Sequence, residues 1–258
     1  MAAIAVILVA IVCHTYNWQI LLGAISVFIA TGAGNTINDY FDYEIDKINK
    51  PHRPIPSNRI SLRNALIYSL ILFIIAAIMG FYINIYNGLL VIICDILMII
   101  YAYDLKQRCL IGNIVVSLLT GLTFIYGGLI IGNIFESMLL GLFAFLMTLS
   151  REIIKDTEDI EGDSKENANT LPIKYGVDLA INCAIILNII TCLLSPVLYL
   201  LGLFNVYYLI IVLIADIIFI YSAIVSYKDK TPENLHKVAK YMKIAMMIAF
   251  ISFIIGSL

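Results

Sequence analysis

Apolar runs recur nine times along this 258-residue chain, at approximately 1–15, 18–38, 62–83, 87–104, 110–131, 136–155, 177–202, 205–227 and 239–257. A helix needs about 20 such residues to cross a hydrocarbon layer roughly 30 Å thick, and inside that layer each backbone N–H and C=O must find its partner within the protein. A chain built almost wholly of such runs is expected to fold as an all-α integral membrane protein with about nine transmembrane helices. Composition agrees, since 62% of residues are hydrophobic, 13% are charged and the mean hydropathy is +0.97, far outside the range of water-soluble domains. The loops between the runs leave no room for a separate soluble domain, so residues 1–258 are read as a single transmembrane domain. The opening "MAAIAVILVAIV" lacks a basic leader and a small-residue cleavage site, which makes it a short crossing and not a signal peptide.

The charges are distributed unevenly. The connections near "HTYNW", "INIYNG", "IGNIFES" and "GLFN" contain no Lys or Arg, and all 16 basic residues lie in or beside the other four. Those four are Lys47 to Arg63, Lys106 with Arg108, Arg151 to Lys174, and Lys228 to Lys243. By the positive-inside rule they face the cytoplasm, and nine crossings then leave the N-terminus inside and the C-terminus outside a cell membrane. The five cysteines are scattered without a CxxC pair and read as packing residues. With a net charge of -2 and no nucleic-acid motif, no nucleic-acid partner is expected, and no obligatory protein partner is evident.

Two acidic clusters stand out against this background. The first is "NDYFDYEID", residues 38–46, at the cytoplasmic end of the second run; the other is "REIIKDTEDIEGD", residues 151–163, at the end of the sixth. On a continuing helix Asn38, Asp42 and Asp46 share one face, as do Asp156, Asp159 and Asp163, and Asp39 can join the first set. Both runs cross from outside to inside, so the two ends reach one membrane surface. Like charges at this spacing destabilise a helix, and the C-terminal end of the helix dipole disfavours them further. A counterion is therefore expected, and hard oxygen ligands suit Mg²⁺, which takes one or two carboxylates and completes its shell with water and substrate phosphates. "KPHRPIPS" follows the first cluster, and its prolines stop the helix from continuing.

The strings "NDYFDYEIDKINKPHRPIPSNRIS", "IYAYDLKQRCLIGN" and "DTEDIEGDSKENANTLPIKYG" resemble the corresponding loops of the UbiA-type intramembrane prenyltransferases, in the same order and across most of the chain. Within that family, "REIIKDTEDIEGD" together with "KPHRPIPSNRIS" is most similar to the branch of archaeal digeranylgeranylglyceryl phosphate synthases; chlorophyll synthases carry similar "RPIPSGR" and "EGD" strings. The resemblance implies helices around a central cavity, a cytoplasmic cap of Asp-rich loops, and Mg²⁺-dependent transfer of a prenyl group from a prenyl diphosphate to an acceptor. It carries the metal and diphosphate motifs onto Asn38, Asp39, Asp42, Asp46, Asp156, Asp159 and Asp163, with Asp42, Asp46, Asp159 and Asp163 as the catalytic acids. Asn35, one turn before Asn38, is a further candidate. Arg53, Lys106, Arg108 and Lys155 are the cations expected near phosphates, although each also serves as a positive-inside anchor. Tyr101 and Tyr103 offer π faces to a carbocation. In the synthase branch the acceptor is a lipid-like phosphate, geranylgeranylglyceryl phosphate, and membrane lipid surrounds the whole; other branches use aromatic or tetrapyrrole acceptors.

Asp95 and Asp216 lie inside apolar runs, and intramembrane acids are usually functional, so they motivate a rival reading as an ion-coupled transporter. That reading requires inverted repeats and broken helices in pairs, and the sequence offers no convincing repeat and one proline within a run, Pro196. Family members carry an Arg-Pro segment ahead of the first helix. This sequence opens directly in its apolar run, so a start upstream of Met1, or a trimmed chain, is expected.

Overall fold

The computed structural model describes residues 2–165 and 168–258, and the regular elements in them are helices. In chain order they are α1 (Ala2–Val12), α2 (Trp18–Phe41), α3 (Tyr43–Asn49), α4 (Leu62–Ile83), α5 (Ile85–Tyr103), α6 (Ile111–Ile131), α7 (Ile134–Glu158), α8 (Ile160–Lys165), α9 (Leu171–Tyr175), α10 (Val177–Leu200), α11 (Val206–Lys228) and α12 (Pro232–Ser257). A 3-10 turn, Leu105–Gln107, follows α5. Eight helices, α2, α4 to α7 and α10 to α12, are long and apolar enough to cross a membrane, which makes this a multi-pass membrane protein. The ninth expected crossing is α1, whose 11 residues rise only about 16 Å, half of a bilayer core. It ends short of residue 15 because the chain turns at Cys13 and His14, the latter with a φ of 49°.

Asn and Ser caps set several helix starts. Asn17 accepts from the Ile20 N–H at 3.1 Å, Ser61 from Asn64, Asn84 from Asn87, and Asn205 from Tyr207 and Tyr208. Each satisfies a donor that a helix N-terminus leaves open. α12 begins with Pro232 in its first turn, seven residues before the apolar run expected at 239, so its first two turns are polar.

The chain divides into two compact units, each with its own packing. The first comprises α1 as far as Ala10, Tyr16–Lys106 and Thr123–Ser137. Its core runs along the small-residue face of α2, through Ala24, Val27 and Ala30 to Ala33 and Ile37. Small residues let helices approach closely where lipid supplies no hydrophobic drive, and buried hydroxyls bond across the contact. Ser26 Oγ donates to the Ala76 carbonyl at 2.9 Å, and Ser69 Oγ donates back to Ala33 at 3.0 Å, joining α2 to α4 from both sides. At Gly80 an added Cβ would meet Gly88 Cα at 3.1 Å, so α4 and α5 touch backbone to backbone.

The second unit comprises Ile11–Thr15, Gln107–Leu122 and Met138–Leu258. Ser150 Oγ donates to Ala184 at 2.9 Å between α7 and α10, and an added Cβ at Gly121 would lie 2.8 Å from the Gly141 carbonyl. Phe204, Tyr208 and Phe253 stack between α11 and α12. In both units the large exposed side chains, such as Phe28, Ile78, Leu193 and Ile217, are apolar, as a lipid-facing surface requires.

The helices expected to continue through the acidic clusters break instead. α2 stops at Phe41, Asp42 takes φ -81° and ψ 3°, and α3 resumes at Tyr43. α7 stops at Glu158, Asp159 forms a bend, and α8 resumes at Ile160. Backbone bonds still span each break: Asp42 to Asn38 and Asp46 to Asp42 at the first, Asp159 to Lys155 and Asp163 to Asp159 at the second. The middle Asp of each motif thus sits at the break. A uniform helix would align the carboxylates at its own negative pole, and the break relieves that.

Candidate active site

At the first break, within the first unit, four acidic-motif side chains meet two cations. Asn38 Nδ2 donates to Asp42 Oδ2 at 2.8 Å, and Lys106, from the 3-10 turn, pairs with the other Asp42 oxygen. Arg53 Nη1 donates to Asp39 Oδ1 and to Asp46 Oδ2, both at 2.7 Å. Asp46 is only 3% exposed, so its charge depends on that guanidinium. Arg53 reaches it because the proline-rich segment turns back on itself: the Arg59 and Ile60 N–H groups donate to Pro54 O, and Ser57 Oγ donates to Arg53 O. The Phe41 ring packs edge-on against Tyr40 and Tyr103, with centroids 5.1 and 5.4 Å away, and closes the hydrophobic side of the break. Tyr101 is half-buried in the last turn of α5. Asn35 is exposed one turn before Asn38, and among the described residues no side-chain hydrogen bond ties it to the network.

The second break, within the second unit, is built differently. Asp156 accepts from Asn113 Nδ2 at 2.8 Å, a neutral partner from the first turn of α6. Lys155, expected beside a phosphate, bonds Glu152 at 3.0 Å, and Arg151 bonds the other oxygen of Glu152 at 3.0 Å. Asp159 is exposed at the bend, and Asp163 is half-buried with its carbonyl accepting from Ala168 N–H. Arg108 is exposed in the turn ahead of α6, and the Gln107 carbonyl beside it accepts from Asn169 N–H at 2.8 Å. Two residues here were not among the sequence candidates. Glu152 gathers both basic residues of its helix turn, and Asn113 holds the first Asp of the motif. An Asn or Glu within otherwise apolar helix was the available signal.

The two intramembrane acids contrast. Asp216 Oδ2 accepts from Ser195 Oγ at 2.5 Å; that hydroxyl lies 3.2 Å from the Cys192 carbonyl, which Pro196 leaves without its helical donor. Tyr208 OH donates to the Ser195 carbonyl at 2.7 Å, so Asp216 belongs to a polar contact that joins α10 and α11 beside Pro196. Asp95 is 6% exposed on the floor of an open groove of about 310 Å³ between α4 and α5, and its Oδ1 has no hydrogen-bond partner among the described residues.

Among the described residues no three His, Cys, Asp or Glu side chains converge on one point. Arg53 joins Asp39 and Asp46, Asn38 and Lys106 flank Asp42, and Asn113 holds Asp156. That suits Mg²⁺, which rarely occupies an all-protein cage and fills its shell with phosphate oxygens and water.

The long apolar helices define a multi-pass helical membrane protein, and each of its two compact units carries one Asp-rich helix break. The chain belongs to the UbiA prenyltransferase family, whose model matches residues 1–253. It is 63% identical over 258 residues to a digeranylgeranylglyceryl phosphate synthase of Methanosphaera stadtmanae, covering 100% of this chain and 95% of the relative. A solved structure described as a digeranylgeranylglyceryl phosphate synthase superposes with a TM-score of 0.88 at 39% identity, over 99% of this chain and 92% of the other. A UbiA homologue from Archaeoglobus fulgidus, bound to GPP and Mg²⁺, shares the fold with a TM-score of 0.69 at 18% identity, over 98% and 96%.

Proposed function

We propose that this protein transfers a geranylgeranyl group from geranylgeranyl diphosphate to the free hydroxyl of geranylgeranylglyceryl phosphate, releasing diphosphate, with Mg²⁺ as cofactor. The observation that carries the reading is the 63% identity, over the whole chain, to a synthase of that product. The family match over residues 1–253 supports treating the chain as one prenyltransferase domain.

In this reaction the allylic C–O bond of the donor breaks, leaving a delocalised carbocation and a diphosphate. The acceptor oxygen then bonds the allylic carbon and gives up its proton. Mg²⁺, when bound, neutralises the charge that develops on the diphosphate. Asn38, Asp39, Asp42 and Asp46 at one helix break, and Asp156, Asp159 and Asp163 at the other, are the groups that would hold it. Lys106 and Arg53 supply fixed positive charge that can shift from carboxylate to phosphate oxygens, the electrostatic help a leaving anion needs. Arg108 is a further phosphate contact in this reading, Lys155 a weaker one because Glu152 shares it, and Asn35 and Tyr101 are further substrate contacts. Apolar helix faces hold the isoprenoid chains and keep water from the cation.

The basic loops and both Asp-rich breaks face the cytoplasm in this proposal, with the N-terminus on that side and the C-terminus outside. Cysteine-accessibility labelling at Arg59 and Leu258 reads that orientation. The reaction itself is tested in detergent with geranylgeranyl diphosphate, the glyceryl phosphate acceptor and Mg²⁺. Diphosphate release is expected, lost with a chelator and restored by Mg²⁺. Turnover with an aromatic acid but none with the lipid phosphate would sink the ether-lipid reading and leave the family intact.

A further inference from the structure

Asp156, the first acid of the second motif, is held by a neutral donor. Asn113 is 7% exposed in the first turn of α6, and its Nδ2 donates to Asp156 Oδ2 at 2.8 Å. Two features fix the asparagine. Ser117 Oγ donates to its carbonyl at 2.6 Å, and the chain enters α6 through Leu110, whose φ of 61° is a left-handed conformation that a Cβ disfavours. That turn is closed by the Ile111 N–H on Cys109 O at 2.7 Å, which directs the first helical turn, and Asn113 with it, toward Asp156. The nearest basic side chains on α7, Arg151 and Lys155, are held by Glu152.

We propose that Asn113 is a positioning residue for metal: it fixes the Asp156 carboxylate through one oxygen and leaves the other oxygen to face Mg²⁺. This rests on the reading of Asp156 as a metal ligand. A Lys or Arg in the same place would orient the carboxylate equally well but cancel the charge the metal needs. An amide orients without that cancellation, and carboxylates that bind metals are commonly held by such an outer partner.

The test is Asn113→Leu, which keeps the volume and removes the donor, together with Asn113→Ala, each purified as the full chain in detergent. Both should raise the Mg²⁺ concentration for half-maximal diphosphate release roughly 10- to 100-fold, the usual loss when an outer-shell partner is removed. Turnover at saturating Mg²⁺ should stay within a few-fold of the parent, and a Mn²⁺ titration followed by EPR, which needs no turnover, should weaken by the same factor. Asp156→Ala should lose both Mn²⁺ binding and activity. Parent-like metal dependence in both Asn113 variants, beside an inactive Asp156→Ala, would overturn the positioning role and spare the functional reading. A fully active Asp156→Ala would overturn that reading itself. Activity lost at every Mg²⁺ concentration with Mn²⁺ affinity unchanged would assign Asn113 to something other than the metal.

Discussion

The two Asp-rich helix breaks carry nearly the same sequence pattern and the same backbone solution, yet their electrostatic surroundings differ. At the first, Asp39, Asp42 and Asp46 face Arg53 and Lys106. At the second, Asp156 faces the neutral Asn113, and Arg151 and Lys155 of the same helix pair with Glu152. Spacing within a motif determines where the helix can break. The partners come from elsewhere in the chain: Lys106 lies 64 residues from Asp42, and Asn113 lies 43 from Asp156. In the proposed reaction the first break supplies metal ligands together with the cations Arg53 and Lys106, whereas at the second a neutral amide holds Asp156 and Lys155 is shared with Glu152.

That contrast can be broken at its cations. Lys106→Met should lower kcat/KM on the order of 10²-fold or more, the loss seen when a fixed stabilising group is taken from a developing anion. Diphosphate-release kinetics measure it, and a change of a few-fold would remove Lys106 from the phosphate site. Arg53→Met should act on stability as well as rate. It leaves Asp46, 3% exposed, without its ion pair, and an unsatisfied buried acceptor costs about 1–3 kcal/mol, so the thermal transition should fall measurably. An unchanged transition would mean that Asp46 finds another donor. Lys155→Met should have the smallest effect, less than about fivefold in rate, because its ion pair with Glu152 is part-exposed and such pairs are worth at most ~1 kcal/mol. A loss as large as that of Lys106→Met would erase the distinction between the two ends.

Much of this was legible in the sequence, for physical reasons that can be named. Hydropathy located the long helices because a spanning helix cannot hide its apolar length, and it overextended α1 most, where the turn at His14 is a local backbone event. Arg53 and Lys106 were expected near phosphates, and they pair with the acids of the first motif. The breaks at Asp42 and Asp159 were not foreseen, although the repulsion that produces them follows from the same i, i+4 spacing. Lys155, expected near a phosphate, pairs with Glu152 three residues away, a partner that the sequence reading did not weigh. Asn113 was overlooked for a different reason: one amide in "LIGN" is a faint signal until a carboxylate distant in sequence arrives beside it.

The most direct measurement is Mg²⁺-dependent diphosphate release by Asp42→Ala and Asp159→Ala, the acids at the two breaks, with the folded state of each checked by its thermal transition. The account predicts that both variants unfold as the parent does and that each loses activity on the order of 10³-fold. Full activity in either one would contradict the claim that both breaks serve one Mg²⁺-dependent reaction.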